Sequence, residues 1–77
     1  MEGLGSGARQ LVKVSVNGET MDSRGATTVA ELVDRFALAP ETILIEHNGV
    51  ALHRRDWPDH SLVDGDRIEF IRVVAGG

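Results

Sequence analysis

Apolar and polar residues alternate where the chain first becomes patterned: Val12, Val14 and Val16 are separated by Lys13 and Ser15. A period of two puts the valines on one face of a half-buried strand. Asn17-Gly18 follows at once, and this pair tolerates the positive φ that both central residues of a tight hairpin turn must adopt. The return strand is expected over Glu19 to Ser23, with Arg24-Gly25-Ala26 breaking the sheet. The period then changes. Val29, Leu32, Val33 and Phe36 fall at i, i+3, i+4 and i+7, one face of a helix. Thr28-x-x-Glu31 spells a capping box just ahead of them, with Thr27 as the alternative cap. The helix is expected to stop at Leu38-Ala39-Pro40, because the residue before a proline is pushed out of helical backbone.

Ile43 to His47 reads as a more fully covered strand, closed by a second Asn-Gly pair at Asn48-Gly49 and answered by Val50-Ala51-Leu52. Arg54 to Ser61 is irregular and polar apart from Trp57, which is expected to plug one end of the core. Asp64-Gly65-Asp66 is a tight turn into a last strand, Arg67 to Val73. Ile68 and Phe70 of that strand face the helix, leaving Glu69, Ile71 and Val73 on the other side. The order is hairpin, helix, strand pair, final strand. One helix laid across a mixed sheet of four to five strands buries these faces, with the first and last strands paired at its centre. That is an α+β arrangement, the β-grasp. Residues 1–10 have glycines at Gly3, Gly5 and Gly7 and no periodicity; they read as a flexible N-terminal arm, leaving 11–77 as one domain. The spaced glycines follow no strand and lack the Lys-Ser/Thr of a phosphate loop.

Composition narrows the chemistry. A chain of 77 residues makes one small domain with a few kcal/mol of net stability, thin support for a large desolvated active site. The sequence has no Cys, which removes disulfides, thiolate zinc sites, thiol nucleophiles and sulfur carriage on a thiol. A formal charge of −4 argues against covering nucleic acid phosphates or an anionic membrane, so no nucleic acid and no membrane partner is expected. No apolar run approaches the ~20 residues of a membrane span, and the start lacks the basic and apolar regions of a signal peptide. A cytoplasmic setting is expected.

Catalysis within the chain finds no constellation. Only Ser61 among the serines neighbours a histidine, His60, and adjacency on an irregular segment is weak ground for a dyad. His47, His53 and His60 fit neither a helical zinc pair nor a zinc finger, and read as ordinary strand or surface histidines. Asp56, Asp59, Asp64 and Asp66 cluster near the last turn, where weak binding of a divalent ion is the alternative to turn chemistry. Asp64-Gly65-Asp66 reads as a turn whose aspartates bond to nearby amides, and the spacing of an EF-hand is absent. No metal site and no catalytic residue is expected. What remains is the terminus. Side-chain bulk falls away through Val74, Ala75, Gly76 and Gly77 directly after the last strand. Two glycines let the backbone enter a narrow channel, and the Gly77 carboxylate becomes reactive once joined to a nucleotide phosphate. The chain lacks a phosphate loop, so the ATP site belongs to a partner. Many disordered tails also end in glycine; the short, apolar, linker-free approach to this one argues for a working tail.

Several segments together resemble the ThiS family, the bacterial sulfur carriers of thiamin thiazole synthesis. They are Val16-Asn17-Gly18-Glu19, Thr28-Val29-Ala30-Glu31-Leu32-Val33, Asn48-Gly49 leading to Arg54-x-x-Trp57, and Leu62-x-Asp64-Gly65-Asp66-x-Ile68-Glu69-x-Ile71-x-x-Val74-x-Gly76-Gly77. The resemblance implies a β-grasp fold and a carrier that is not an enzyme. It implies that Gly77 is adenylated by a ThiF-like adenylyltransferase and converted to a thiocarboxylate. The sulfur comes ultimately from cysteine through a desulfurase or rhodanese-type donor system, and a ThiG-like thiazole synthase takes it into the ring. No cofactor is bound by the chain itself; ATP and Mg are used by the activating enzyme. The sequence departs from the family at His53, where many members have proline, at Val50, where a charged residue is usual, and in its extra N-terminal arm.

For docking, the expected surface is the sheet face opposite the helix. Leu44, Ile71 and Val73 are apolar there, flanked by Glu46, Glu69 and Arg72. Isolated exposed apolar residues are normal, but proximity to the tail favours a contact patch. The rival readings are a related carrier serving molybdopterin (MoaD-like), cysteine or siderophore synthesis, and a ubiquitin-like modifier or plain binding module.

Overall fold

Lys13–Val16 (β1) and Glu19–Asp22 (β2) pair antiparallel, joined by Asn17 and Gly18 at φ values of 50° and 90°. The computed structural model describes residues 12–73; the arm at 1–10 and the tail at 74–77 lie outside the described residues. Ile43–His47 (β3) and Val50–Leu52 (β4) form the second hairpin through Asn48 and Gly49, again both at positive φ. The last strand, Arg67–Arg72 (β5), runs parallel to β1 and antiparallel to β3, so the sheet order is β2-β1-β5-β3-β4. First and last strands thus meet at the centre, as their alternation predicts. The single α-helix among the described residues, Val29–Arg35 (α1), buries Val29, Leu32 and Val33 against the sheet. Val14, Ile45 and Ile68 receive it from the sheet side, all at most 1% exposed.

The helix begins almost as the sequence suggests. The Thr28 hydroxyl accepts from the Glu31 N–H at 3.1 Å. The Glu31 carboxylate, however, makes its short hydrogen bonds one residue earlier than a capping box requires. It accepts from the N–H and hydroxyl of Thr27, at 2.7 and 2.9 Å, so both threonines are used. Those two bonds, the backbone one foremost, hold the Glu31 carboxyl below the ordinary carboxylate range.

The helix ends earlier than expected. Ala37 adopts φ 55°, its N–H donates to the Asp34 carbonyl, and the Leu38 N–H reaches back to the Val33 carbonyl. This is a Schellman stop made with alanine where glycine is usual. The chain has left helical backbone before Pro40, which instead opens a short 3-10 turn, Pro40–Thr42.

Two further expectations are corrected. β3 is not the more fully covered strand that its apolar run suggests: Leu44 is 56% exposed, on the open face where the docking expectation puts it, because α1 packs on only one side of the sheet. The polar stretch after β4 is not irregular but a 3-10 helix, Arg54–Asp59. It drives Trp57 into the end of the core, 4% exposed, as expected. The segment after it is tied to the helix start, with the Val29 N–H donating to the His60 carbonyl and the Leu62 N–H to the Thr27 carbonyl.

Candidate functional site

The reactive group expected from the sequence, Gly77 with Val74, Ala75 and Gly76, lies outside the described residues. The structure describes the platform from which that tail departs: the end of β5 and the surfaces beside it. β5 sits between β1 and β3. The Val73 N–H still donates to the Thr42 carbonyl at 2.9 Å, so the β3 side of β5 is held to the last described residue.

The face away from α1 carries the expected apolar residues. Leu44 and Ile71 are register partners on β3 and β5, and Val73 follows two residues later on the same phase. Ile71 is 39% and Val73 43% exposed. Glu46 and Glu69 are likewise partners, placing two carboxylates beside the apolar pair. Arg72 does not belong to this face. Its register partner is Ile43, a core residue, and the period-2 rule turns both toward the helix side. There Arg72 lines an open cleft of ≈ 430 Å³ with Phe36, Leu38, Phe70 and Glu19. Arg72 is therefore not the expected flank of the apolar pair, because the pleat turns adjacent residues to opposite faces.

Both hairpin asparagines do more than turn the chain. The Asn17 Oδ1 accepts from the Phe70 N–H at 2.8 Å, and its Nδ2 donates to the Phe70 carbonyl at 3.4 Å. From the other side, the Asn48 Oδ1 accepts from the Arg67 N–H at 2.7 Å and its backbone N–H donates to the Arg67 carbonyl. The central strand is gripped by a carboxamide near each end. A turn needs only positive φ, which Asp or Gly also supplies. That both turns use Asn was the available signal.

Asp66 is the polar residue buried most deeply at the entry to β5, 5% exposed. Its carboxylate accepts from the Val63 N–H at 2.9 Å and from the Asn48 Nδ2 at 3.0 Å, and its Oδ2 lies 2.9 Å from the His47 Nε2. Burial alone would raise its pKa; the hydrogen bonds from Asn48, Val63 and His47, with the His47 charge, outweigh burial and hold it below the ordinary value. With Asp66 ionised, His47 donates through Nε2. Its Nδ1 then faces the His60 Nδ1 at 3.2 Å. The two histidines therefore form one network with Asp66 rather than sitting as separate surface residues, a long-range contact that spacing could not show. His60 is engaged with His47, and Ser61 pairs through its backbone with Thr28, so the geometry assembles no serine dyad. Asp64, as expected of a turn residue, accepts from a backbone amide, that of Lys13, at 2.7 Å.

Among the described residues no group of three or more His, Asp or Glu side chains is placed to hold a metal ion. No described helix is long and apolar enough to cross a membrane.

Comparison with known proteins adds the following. The model of the ThiS family matches residues 8–77. The sulfur carrier protein ThiS of Escherichia coli is 27% identical over 66 residues, covering 86% of this chain and 100% of that protein. A thiazole synthase of Magnetococcus marinus is 29% identical over 66 residues; the match covers 86% of this chain but only 20% of the synthase. The crystal structure of the thiamine biosynthesis protein ThiS from Geobacter metallireducens superposes with a TM-score of 0.72 at 32% identity, over 86% of this chain and 100% of that one.

Proposed function

The chain belongs to the ThiS family, and from that membership we propose that it is a sulfur carrier of thiamin biosynthesis working through the Gly77 carboxylate. It is a carrier protein rather than an enzyme. The observation that supports the reading best is the extent of the family match, which runs through both terminal glycines to Gly77.

A carboxylate is a poor acceptor for a sulfur nucleophile, so activation comes first. An oxygen of the Gly77 carboxylate attacks the α-phosphorus of ATP and pyrophosphate leaves, giving an acyl-adenylate. A persulfide sulfur of the donor protein then displaces AMP to give an acyl disulfide. A thiol attacks the donor-side sulfur, so that the terminus is released as a thiocarboxylate and the donor is left in a disulfide. ATP and its Mg sit in a ThiF-like partner, and the sulfur comes from a desulfurase or rhodanese-type donor system. This chain supplies the fold that delivers the terminus, and Gly76-Gly77 supply backbone slim enough for a partner's channel. A ThiG-like thiazole synthase is the acceptor in this reading, in keeping with the likeness to the Magnetococcus protein named a thiazole synthase. The exposed pair Leu44 and Ile71, with Val73, forms the docking surface beside the tail. The reading sets the reaction in the cytoplasm, where ATP and these partners are found.

Mass spectrometry after incubation with ATP, the activating enzyme and a sulfur source tests it. The expected result is a gain equal to exchanging one oxygen for sulfur, lost when Gly76-Gly77 are deleted. A covalent adduct on a lysine of another protein would instead identify a ubiquitin-like modifier.

A further inference from the structure

Successive residues of a strand aim their backbone groups to alternate sides. Along β5, Ile68, Phe70 and Arg72 face β1, and Ile71 and Val73 face β3. The β1 ladder runs only from Ser15 opposite Arg67 to Val16 opposite Ile68. It closes with the Asn17 N–H donating to the Ile68 carbonyl at 2.9 Å, and the chain then turns away at Asn17-Gly18. β3 accompanies β5 much further, to Ile43 opposite Arg72. From Phe70 onward β5 has therefore lost its neighbour on one side, just where it heads for the terminus.

The Asn17 carboxamide takes the missing neighbour's place. Its Oδ1 accepts from the Phe70 N–H at 2.8 Å and its Nδ2 donates to the Phe70 carbonyl at 3.4 Å, so one side chain imitates the donor and acceptor of a peptide. The turn does not require this chemistry, since Gly or Asp would satisfy its φ. The Phe70 ring is fixed too, in edge contact with Phe36 at 5.6 Å between centroids.

We propose that Asn17 is a positioning residue for the C-terminal carboxylate: by bonding Phe70 on its open side, it sets the direction in which β5 leaves the sheet toward Gly77. The proposal rests on the carrier reading given above. Gly77 lies seven positions beyond Phe70, at most ~25 Å along an extended chain, so the course of β5 at Phe70 sets where the tail begins. Asn48 makes a similar grip on Arg67 at the other end of β5, remote from the exit, and serves as the control.

The experiment compares Asn17→Gly, Asn17→Asp and Asn48→Gly with the wild type. Glycine keeps both turns, and circular dichroism fixes a temperature at which every variant is folded. ATP–pyrophosphate exchange by the activating enzyme is then measured against carrier concentration. Asn17→Gly is expected to lower kcat about tenfold with KM unchanged, short of the roughly 100-fold that a misplacement of 1 Å at a reacting centre can cost. Asn17→Asp, which keeps the acceptor for the Phe70 N–H, is expected to recover most of that loss. Asn48→Gly is expected to lower the melting temperature and leave kcat alone. An unchanged kcat in Asn17→Gly, or an equal fall in Asn48→Gly, overturns the proposal. Relaxation of the backbone 15N nuclei at Ile71–Val73 supplies a readout without a partner: these residues are expected to lose order in Asn17→Gly, and unchanged order overturns the clamp. Failure of the wild type to support exchange would overturn the carrier reading, with the relaxation result still deciding the clamp.

Discussion

Leu44 and Ile71 stand directly opposite one another on β3 and β5, both exposed on the face of the sheet that the helix leaves open. Neither contributes to the core, yet each places an apolar side chain within two positions of Val73 or its register neighbours. Ile71→Asp and Leu44→Asp are each expected to raise KM for activation by the partner enzyme about tenfold, the effect of removing a contact worth 1–2 kcal/mol. Circular dichroism should stay that of the wild type. Because the two side chains share one spot, the double variant should lose less than the sum of the singles. Normal KM in both single variants would remove the docking surface.

Asp66 predicts how the fold meets acid. Its carboxyl is held below its ordinary value of 3.8, so the folded state binds this proton less readily than the unfolded chain. The contribution is complete above that ordinary value and is lost as the pH falls through the lower folded one. Urea denaturation should therefore show stability declining below about pH 4, and Asp66→Asn should flatten that decline. Asp66→Ala strips partners from His47, Asn48 and the Val63 amide together. It is expected to cost about 3 kcal/mol at neutral pH, a large share of what a domain of this size holds.

Ala37 occupies left-handed backbone at φ 55°, where its Cβ crowds the following carbonyl. Ala37→Gly is expected to stabilise the protein by about 1 kcal/mol, raising the melting temperature by roughly 4–8 °C in calorimetry. A lowered melting temperature would mean that the alanine methyl makes contacts outweighing its strain.

These residues also mark where local pattern suffices and where it does not. Val14 and Val16, the helical spacing from Val29 to Phe36, and both Asn-Gly turns act within a few neighbours, and the sequence displays them. The end of α1 is different. Pro40 is a visible stop, but Ala37 carries no mark of the left-handed conformation that halts the helix first. Asn17 bonds Phe70 across 53 positions and His47 bonds Asp66 across 19; such contacts exist only once the sheet has brought β1, β3 and β5 together. Arg72 shows a third kind of difference, since one step along a strand reverses the face. The expectation at Gly77 is of another kind, since it rests on the order of residues alone and 74–77 lie outside the described residues.

The parallel pairing of β1 with β5 has a practical consequence. Both strands run in the same direction, so a chain that enters at Lys13, beside Gly65, leaves at Val73, eight positions along, or ~26 Å away at the rise of a strand. Anything covalently attached upstream of Val12 is therefore joined at the opposite pole from the outgoing tail. A tether to a solid support, or a fluorescent protein, can be placed there at the far end of the sheet from Val73.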